Sequence, residues 1–409
     1  MDVAVFGGGP AGLAAALALR QYGFRVALYD AQRPPIDKAC GEGLMPEALR
    51  LLRGFGVALD ERDGAHFMGI SFHDTHASAS ATFGSQRGLG VRRTQLQEAM
   101  ARRAAQMGVA LHWGAVVRAL AGGGFASAGS RISAEFFVIA DGMCSTLAAA
   151  SGFRERNCHS RRYASRQHFQ CAPWSDSVEV HWRDGEQLYI TPVGDHEVGA
   201  ALLTSRRGRR LCDALPDFPE VAKRLAGVRR TSSMRGAVTR IRTLREVIRG
   251  NVAVLGDASG SVDAITGDGL LSAFRQANAL ADAIAAGEPK RYAAAHTQIA
   301  KAPQRMARML LLLDRYPGLE RRFIATMATR PESFAALLGV HVGEQSWPSF
   351  AWMQAAALLT GRRQPEDKTG RDTKPDLRPD IRRDVRPDVR LGKGLWLPYA
   401  TKAHRERGL

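Results

Sequence analysis

The chain opens on a short run of apolar residues, Val3-Ala-Val-Phe6, followed at once by glycines. Four apolar residues without a polar break read as a strand buried on both faces. Helical composition follows from Leu13 to Tyr22, and a second apolar run, Arg25-Val-Ala-Leu-Tyr29, ends on Asp30. Strand, helix and strand in that order predict a parallel βαβ unit reaching to about residue 60. Residues 66–90 then alternate apolar and polar positions, which predicts short strands. A helical period returns over about Thr94 to Met107, with a further strand predicted over Val109 to Trp113. Across 156–246 the period becomes two. Arg166 to Cys171, Val178 to Trp182, Gln187 to Pro192 and Glu197 to Leu203 are separated by Asp-Gly and Gly-Asp turns, the pattern of an antiparallel sheet. Asn251 to Leu255 reads as one more buried strand, and Leu270 to Ala286 as a long helix. The chain changes again from Pro303. Its apolar helical stretch is predicted to break at Tyr316-Pro317-Gly318, with a second helix holding Phe323, Ile324 and Met327 and a third running from Phe350 to Leu359.

The turn between the first strand and helix reads Gly7-Gly8-Gly9-Pro10-Ala11-Gly12. Gly7 permits a tight turn, Gly9 lets backbone approach a diphosphate, and Gly12 lets helix and strand pack closely. Ala11 belongs to the same turn, just ahead of a helix N-terminus whose free N–H groups and partial positive charge attract phosphate. Asp30, closing the second strand, suits the ribose diol and repels a 2′-phosphate. Together these predict a bound dinucleotide.

A second glycine signature lies far along the chain. Asn251-Val-Ala-Val-Leu-Gly256-Asp257 is followed by Thr266-Gly267-Asp268-Gly269 and the long helix. Here the sequence resembles the FAD-dependent p-hydroxybenzoate hydroxylase and geranylgeranyl reductase superfamily, the group A flavoprotein monooxygenase type. The resemblance covers roughly residues 1–300 and implies FAD as cofactor, with NAD(P)H as electron donor. It implies that Gly256 and Asp257 hold the ribityl and diphosphate region, and that Gly267, Asp268 and Gly269 face the pyrimidine edge of the flavin. A helix N-terminus there stabilises the negative charge of a reduced ring. Arg93, in Gly90-Val-Arg92-Arg93-Thr-Gln-Leu96, matches the family arginine near the diphosphate. Asp141, in Ala140-Asp141-Gly142, matches a strand end beside the cofactor, although Ala148 stands where an arginine often follows. Lys38-Ala-Cys40-Gly41-Glu-Gly-Leu-Met-Pro46 resembles a loop of the reductase branch that runs along the flavin, which adds Cys40 and Gly41 to the cofactor contacts. Cys40 reads as a packing residue beside the ring.

Composition sets the frame. With 409 residues, 45% of them hydrophobic, the chain can bury a large core. Its five cysteines show neither zinc spacing nor the density of a secreted scaffold, so a reduced, cytoplasmic protein without a metal centre is expected. No apolar run is long enough to span a bilayer, and the chain enters its first strand without a signal segment. The formal charge is +17, to which residues 361–409 contribute 14 Lys and Arg against 8 Asp and Glu. No nucleic-acid motif accompanies that charge, so nucleic acid is not an expected partner. Peripheral contact with an anionic membrane face is compatible with it, and the oligomeric state is left open.

The fold class read from these features is α/β: a Rossmann-like FAD-binding domain with an inserted antiparallel β-sheet substrate domain and C-terminal helices. The FAD-binding domain is assigned to 1–65, 91–155 and 247–300, and the substrate domain to 66–90 and 156–246. A helical cover over 301–360 and a basic, disordered tail over 361–409 complete the chain. The expected activity is FAD-dependent hydroxylation of an aromatic or lipophilic, polyketide-like substrate. Reduction of prenyl or alkene double bonds is the alternative, and a non-catalytic flavin-binding assembly subunit the third reading. His168 is the candidate catalytic base, with His181 behind it, the two placed on neighbouring strands. Tyr189 and Pro192 match a family strand whose end approaches the flavin.

Overall fold

The computed structural model describes residues 1–60, 62–341 and 349. Val3–Phe6 lies inside a six-stranded sheet, and all four of its residues are buried. The order across that sheet is Ile248–Arg249, Val252–Val254, Phe136–Ile139, Val3–Phe6, Val26–Asp30 and Ala110–Trp113. Every pairing is parallel except the edge hairpin of the first two. The helix Pro10–Gln21 has nine of its twelve residues buried, which explains why its sequence shows no polar stripe. It starts earlier than the periodicity alone predicted, because Pro10 fits the first helical position, where no N–H is needed. It packs between the helices Arg93–Gln106 and Gly269–Ala285. From Val3–Phe6 the chain turns to one side of the sheet, while Phe136–Ile139 pairs on the other. That reversal opens a crevice at the carboxyl ends of the strands, where α/β sheets bind ligands.

A second sheet has eight strands in the order Gly260–Ser261, Arg235–Leu244, Glu155–Phe169, Glu197–Thr204, Glu186–Gly194, Ser177–Arg183, Gly69–His73 and Ser78–Thr82. Gly69–His73 and Ser78–Thr82 thus share one sheet with the strands of 156–246, while Gly64–Phe67 and Gly88–Val91 pair with each other in a separate small sheet. Two expectations need correction. The sheet is not wholly antiparallel, since Gly69–His73 runs parallel to Ser177–Arg183. His168 and His181 are not on neighbouring strands either, because Glu197–Thr204 and Glu186–Gly194 lie between theirs.

One face of this sheet packs under three helices, Arg291–Arg315, Pro317–Thr329 and Pro331–His341. Met306, Leu310, Ile324 and Phe334 meet Ile70, Val178 and Val180 there. Pro303 lies inside the first of these helices rather than at its start, and Pro331–His341 was not foreseen. The helix expected over Phe350 to Leu359 and the tail from 361 fall outside the described residues. No helix among the described residues is long and apolar enough to cross a membrane.

The cover carries a buried acid with a measurable consequence. Burial, reinforced by Asp74, Asp314 and Asp184 and opposed by Arg321, pushes the Glu320 carboxyl from 4.5 up to about 7. The folded chain therefore holds this proton more tightly than the unfolded one. The stabilisation is present below about pH 4.5 and is lost as pH rises through about 7. Glu320→Gln should raise the melting temperature at pH 8 by about 2–4 °C and change it little at pH 5. Equal shifts at both pH values in thermal melts would refute this.

Candidate active site

A cavity of about 990 Å³ runs from the carboxyl ends of the parallel strands to the face of the eight-stranded sheet. Gly7, Asp30, Asp141, Gly256 and Asp257, each at or just past a strand end, all line it. Gly7 has φ 115°, and a side chain there would collide with the backbone of Ala140. A side chain at Gly12 would strike the carbonyl of Gly7. Gly9 stays open toward the cavity, with Arg93 Nη2 as nearest atom, 3.7 Å from where a side chain would start. Asp30 Oδ2 accepts the Gly8 N–H at 2.6 Å and Oδ1 the Gln32 N–H at 2.7 Å. Each carboxylate oxygen keeps a second lone pair for a ligand hydroxyl. Burial raises the Asp141 carboxyl, against hydrogen bonds from Ser145 and Leu147 that lower it.

The second glycine signature packs directly on the first. A side chain at Gly256 would press on Ala11 Cβ at 2.7 Å, so two distant chain segments form one wall. The Gly256 N–H is held by Gln276 Oε1 at 2.8 Å, and Asp257 pairs with Lys38 at 3.1 Å. The Ala264–Thr266 turn ends on Gly267 in a left-handed conformation, and helix Gly269–Ala285 begins two residues later. Buried Arg162 and Asp263, 3.3 Å apart, brace this turn. No heavy atom lies within 4 Å of a side-chain position at Gly41, Gly267 or Gly269.

The Cys40–Gly43 loop runs along the cavity wall and is tied down at Glu42, whose φ is 61°. Glu42 Oε1 accepts the Arg93 N–H at 2.9 Å, and Oε2 faces His168 Nε2 at 2.6 Å. The Thr191 hydroxyl donates to the Gly41 carbonyl at 2.8 Å, and the Glu42 N–H donates to Cys40 Sγ at 3.4 Å. His168 therefore holds a loop through Glu42. It is buried and is not among the residues lining the cavity. Arg166 Nη1, 3.2 Å from His168 Nδ1, can only donate, so Nδ1 accepts and the ring hydrogen sits on Nε2 toward Glu42. Ser232 Oγ also lies 2.8 Å from Nδ1. No nitrogen of His168 is left for a substrate. His181 lies away from the cavity as well and pairs with Glu179 at 2.9 Å.

The far half of the cavity is apolar, walled by Phe72, Val180, Leu310, Phe334, Leu337 and Leu338. Tyr189 and Ile265 stand at the junction, where the tyrosine hydroxyl donates to the Ile265 carbonyl at 3.0 Å. Burial raises the Tyr189 phenol, which stays protonated. One titratable pair joins the two halves: His341 Nε2, ending the last described cover helix, lies 3.5 Å from Asp268 Oδ1. Burial pushes the Asp268 carboxyl up; His341 and Arg275 pull it back, and Glu47 pushes it further up. His296 also lines the cavity, but burial lowers it to about 4, and it is engaged with Ser259 Oγ at 2.8 Å. The sequence signals for Glu42, Arg166 and His341 were slight, since each acts through partners far along the chain.

This cradle fits a flavin dinucleotide. The open glycines leave room, the first turn of a helix faces inward, and Arg93 Nε is buried without a hydrogen-bond partner. Residues 1–210 match the sequence profile of the family described as FAD binding domain. The menaquinone reductase of Mycolicibacterium smegmatis is 27% identical over 408 residues, covering 88% of this chain and 97% of that protein. The menaquinone reductase of Mycobacterium tuberculosis is 28% identical over 306 residues, covering 66% and 72%. Among solved structures, the flavin-dependent brominase Bmp2 superposes with a TM-score of 0.74 at 19% identity, over 89% of this chain and 99% of that one. The tetrameric 2-methyl-3-hydroxypyridine-5-carboxylic acid oxygenase gives 0.64 at 22%, over 79% and 92%. At these identities the structures share the fold alone.

Proposed function

The chain belongs to the FAD binding domain family and is an FAD-dependent oxidoreductase; on that premise we propose that it reduces a double bond in a lipophilic prenyl-type substrate, a prenylated quinone above all. The observation that carries this reading is the single cavity in which an apolar hall meets the glycine cradle, with the His341–Asp268 pair at the junction. Reductases acting on menaquinone, a quinone with an isoprenoid tail, match this chain over most of its length. The Cys40–Gly43 loop has the form of the reductase branch, which supports the same reading.

In this proposal Gly7, Gly9, Ala11, Gly12 and Arg93 hold the diphosphate, and Asp30 the adenosine ribose. Asp141, Gly256 and Asp257 hold the ribityl region. Gly267, Asp268 and Gly269 face the pyrimidine edge, with Cys40 and Gly41 along the ring. When bound, flavin supplies the reducing equivalents, taken from NAD(P)H. The protein supplies a dry apolar wall that orients the chain of the substrate and excludes water. His341, 3.5 Å from Asp268, stands where it can deliver a proton to the carbon left electron-rich.

The test mixes the FAD-loaded protein, reduced anaerobically by NADH or NADPH, with a detergent-solubilised menaquinone. Flavin reoxidation with a product two hydrogens heavier, persisting after aeration, is expected. Reoxidation only by oxygen, with one oxygen atom entering the substrate, would establish the hydroxylase that the sequence favoured and overturn the reductase. Flavin inert to every donor and acceptor would leave the non-catalytic subunit.

A further inference from the structure

The face of the eight-stranded sheet turned away from the cavity carries a cluster that the flavin chemistry does not use. Gly69–His73 and Ser177–Arg183 run parallel, with Ser71 opposite Glu179 and His73 opposite His181. Side chains two apart on a strand share a face, so these four project together. Phe72 and Val180, between them in sequence, line the cavity on the other side. His181 Nε2 lies 2.9 Å from Glu179 Oε2, and the His73 and His181 rings stack with centroids 4.7 Å apart. One ligand atom from each of His73, Glu179 and His181 falls within 4.8 Å of the others. Glu179 is buried, and both histidines are half-buried.

We propose that His73, Glu179 and His181 form a binding site for a divalent transition metal of the zinc class. Two imidazoles and one carboxylate are borderline donors, which favour zinc, cobalt or nickel over calcium and magnesium. Tetrahedral zinc with bonds of about 2.0–2.2 Å spaces its ligands about 3.4 Å apart, so closure needs only small side-chain rotations. The supporting contacts are in place. Ser78 Oγ lies 2.8 Å from His73 Nδ1, and Trp174 Nε1 donates to Glu179 Oε2 at 3.0 Å. Such outer contacts set ring orientation at metal sites. Ser71 Oγ, 2.9 Å from His73 Nε2, would yield that nitrogen to the metal and stand ready as a fourth ligand beside water. Arg224, stacked over Trp174 at 5.1 Å, opposes a cation and makes the site one of moderate affinity.

The location gives the metal a purpose. Among the described residues, this is the sheet's one parallel pairing, and parallel ladders are slightly weaker per residue. It joins the 66–90 excursion to the strands of 156–246, so a metal would staple the cavity wall from behind. The test takes the FAD-loaded full chain, chelates and dialyses it, and titrates it with Co²⁺ and Zn²⁺. Co²⁺ should give visible bands of tetrahedral coordination beyond the flavin absorption, and Zn²⁺ should be retained at about one per chain. His73→Ala, His181→Ala and Glu179→Gln should each weaken binding at least about tenfold. Their flavin content should be unchanged, which reports that they fold, and His76→Ala, at an exposed turn, should bind as the parent does. Metal retained equally by the parent and the His181→Ala chain, or by neither, would overturn the proposal.

Discussion

A Gly7→Val chain is expected to emerge from purification without yellow colour, its FAD content falling from one per chain to near zero. Two effects add at this position. The backbone is left-handed, φ 115°, and the new side chain would enter the backbone of Ala140, which directly follows the adjacent parallel strand. Relief requires the strand ends to part, and these strand ends form the cradle. Gly23→Ala isolates the first effect, since Gly23 has φ 84° with no atom within 4 Å. That control should lose about 1–2 kcal/mol of stability and keep its flavin. The ratio of flavin to protein absorbance decides the matter, and a yellow Gly7→Val protein would refute the account.

The second large effect falls on His341. His341→Ala should lower turnover by roughly 10²–10⁴-fold, the range for loss of a positioned proton donor, with flavin content and KM little changed. His341 also pulls down the buried Asp268 carboxyl, so its removal lets Asp268 hold a proton to higher pH. Residual activity that needs this proton should therefore persist to more alkaline pH than in the parent chain, and should lose that pH dependence when Asp268→Asn is added. Steady-state rates across pH separate the roles. A raised KM with unchanged kcat would make His341 part of the cavity lining and nothing more.

The opening βαβ unit was legible because its strand is apolar at every position and its turn glycines admit few other uses. The two glycine signatures were legible for the same reason, and Gly256 against Ala11 shows why both are needed. His168 and His181 were expected on neighbouring strands because alternation reveals that a histidine lies on a strand but not which strands flank it. Sheet order here depends on contacts between distant segments, which no local pattern encodes. His341 escaped notice because Pro331–His341 is apolar nearly all round, with Phe334, Leu337, Leu338 and Val340 buried. Such a helix offers no polar stripe to mark a functional side. The His73–Glu179–His181 cluster leaves no trace in cysteine spacing, and His73 lies about a hundred positions before the other two in the sequence. Each strand carries only part of the set, and the parallel pairing alone completes it.

The seam between Ala11 and Gly256 also bears on how the protein is made. A ribosome that has released only the first two hundred residues has produced the opening turn without its counterpart. Cofactor capture then waits for late translation, and a prematurely terminated fragment would leave the ribosome pale and exposed to proteases.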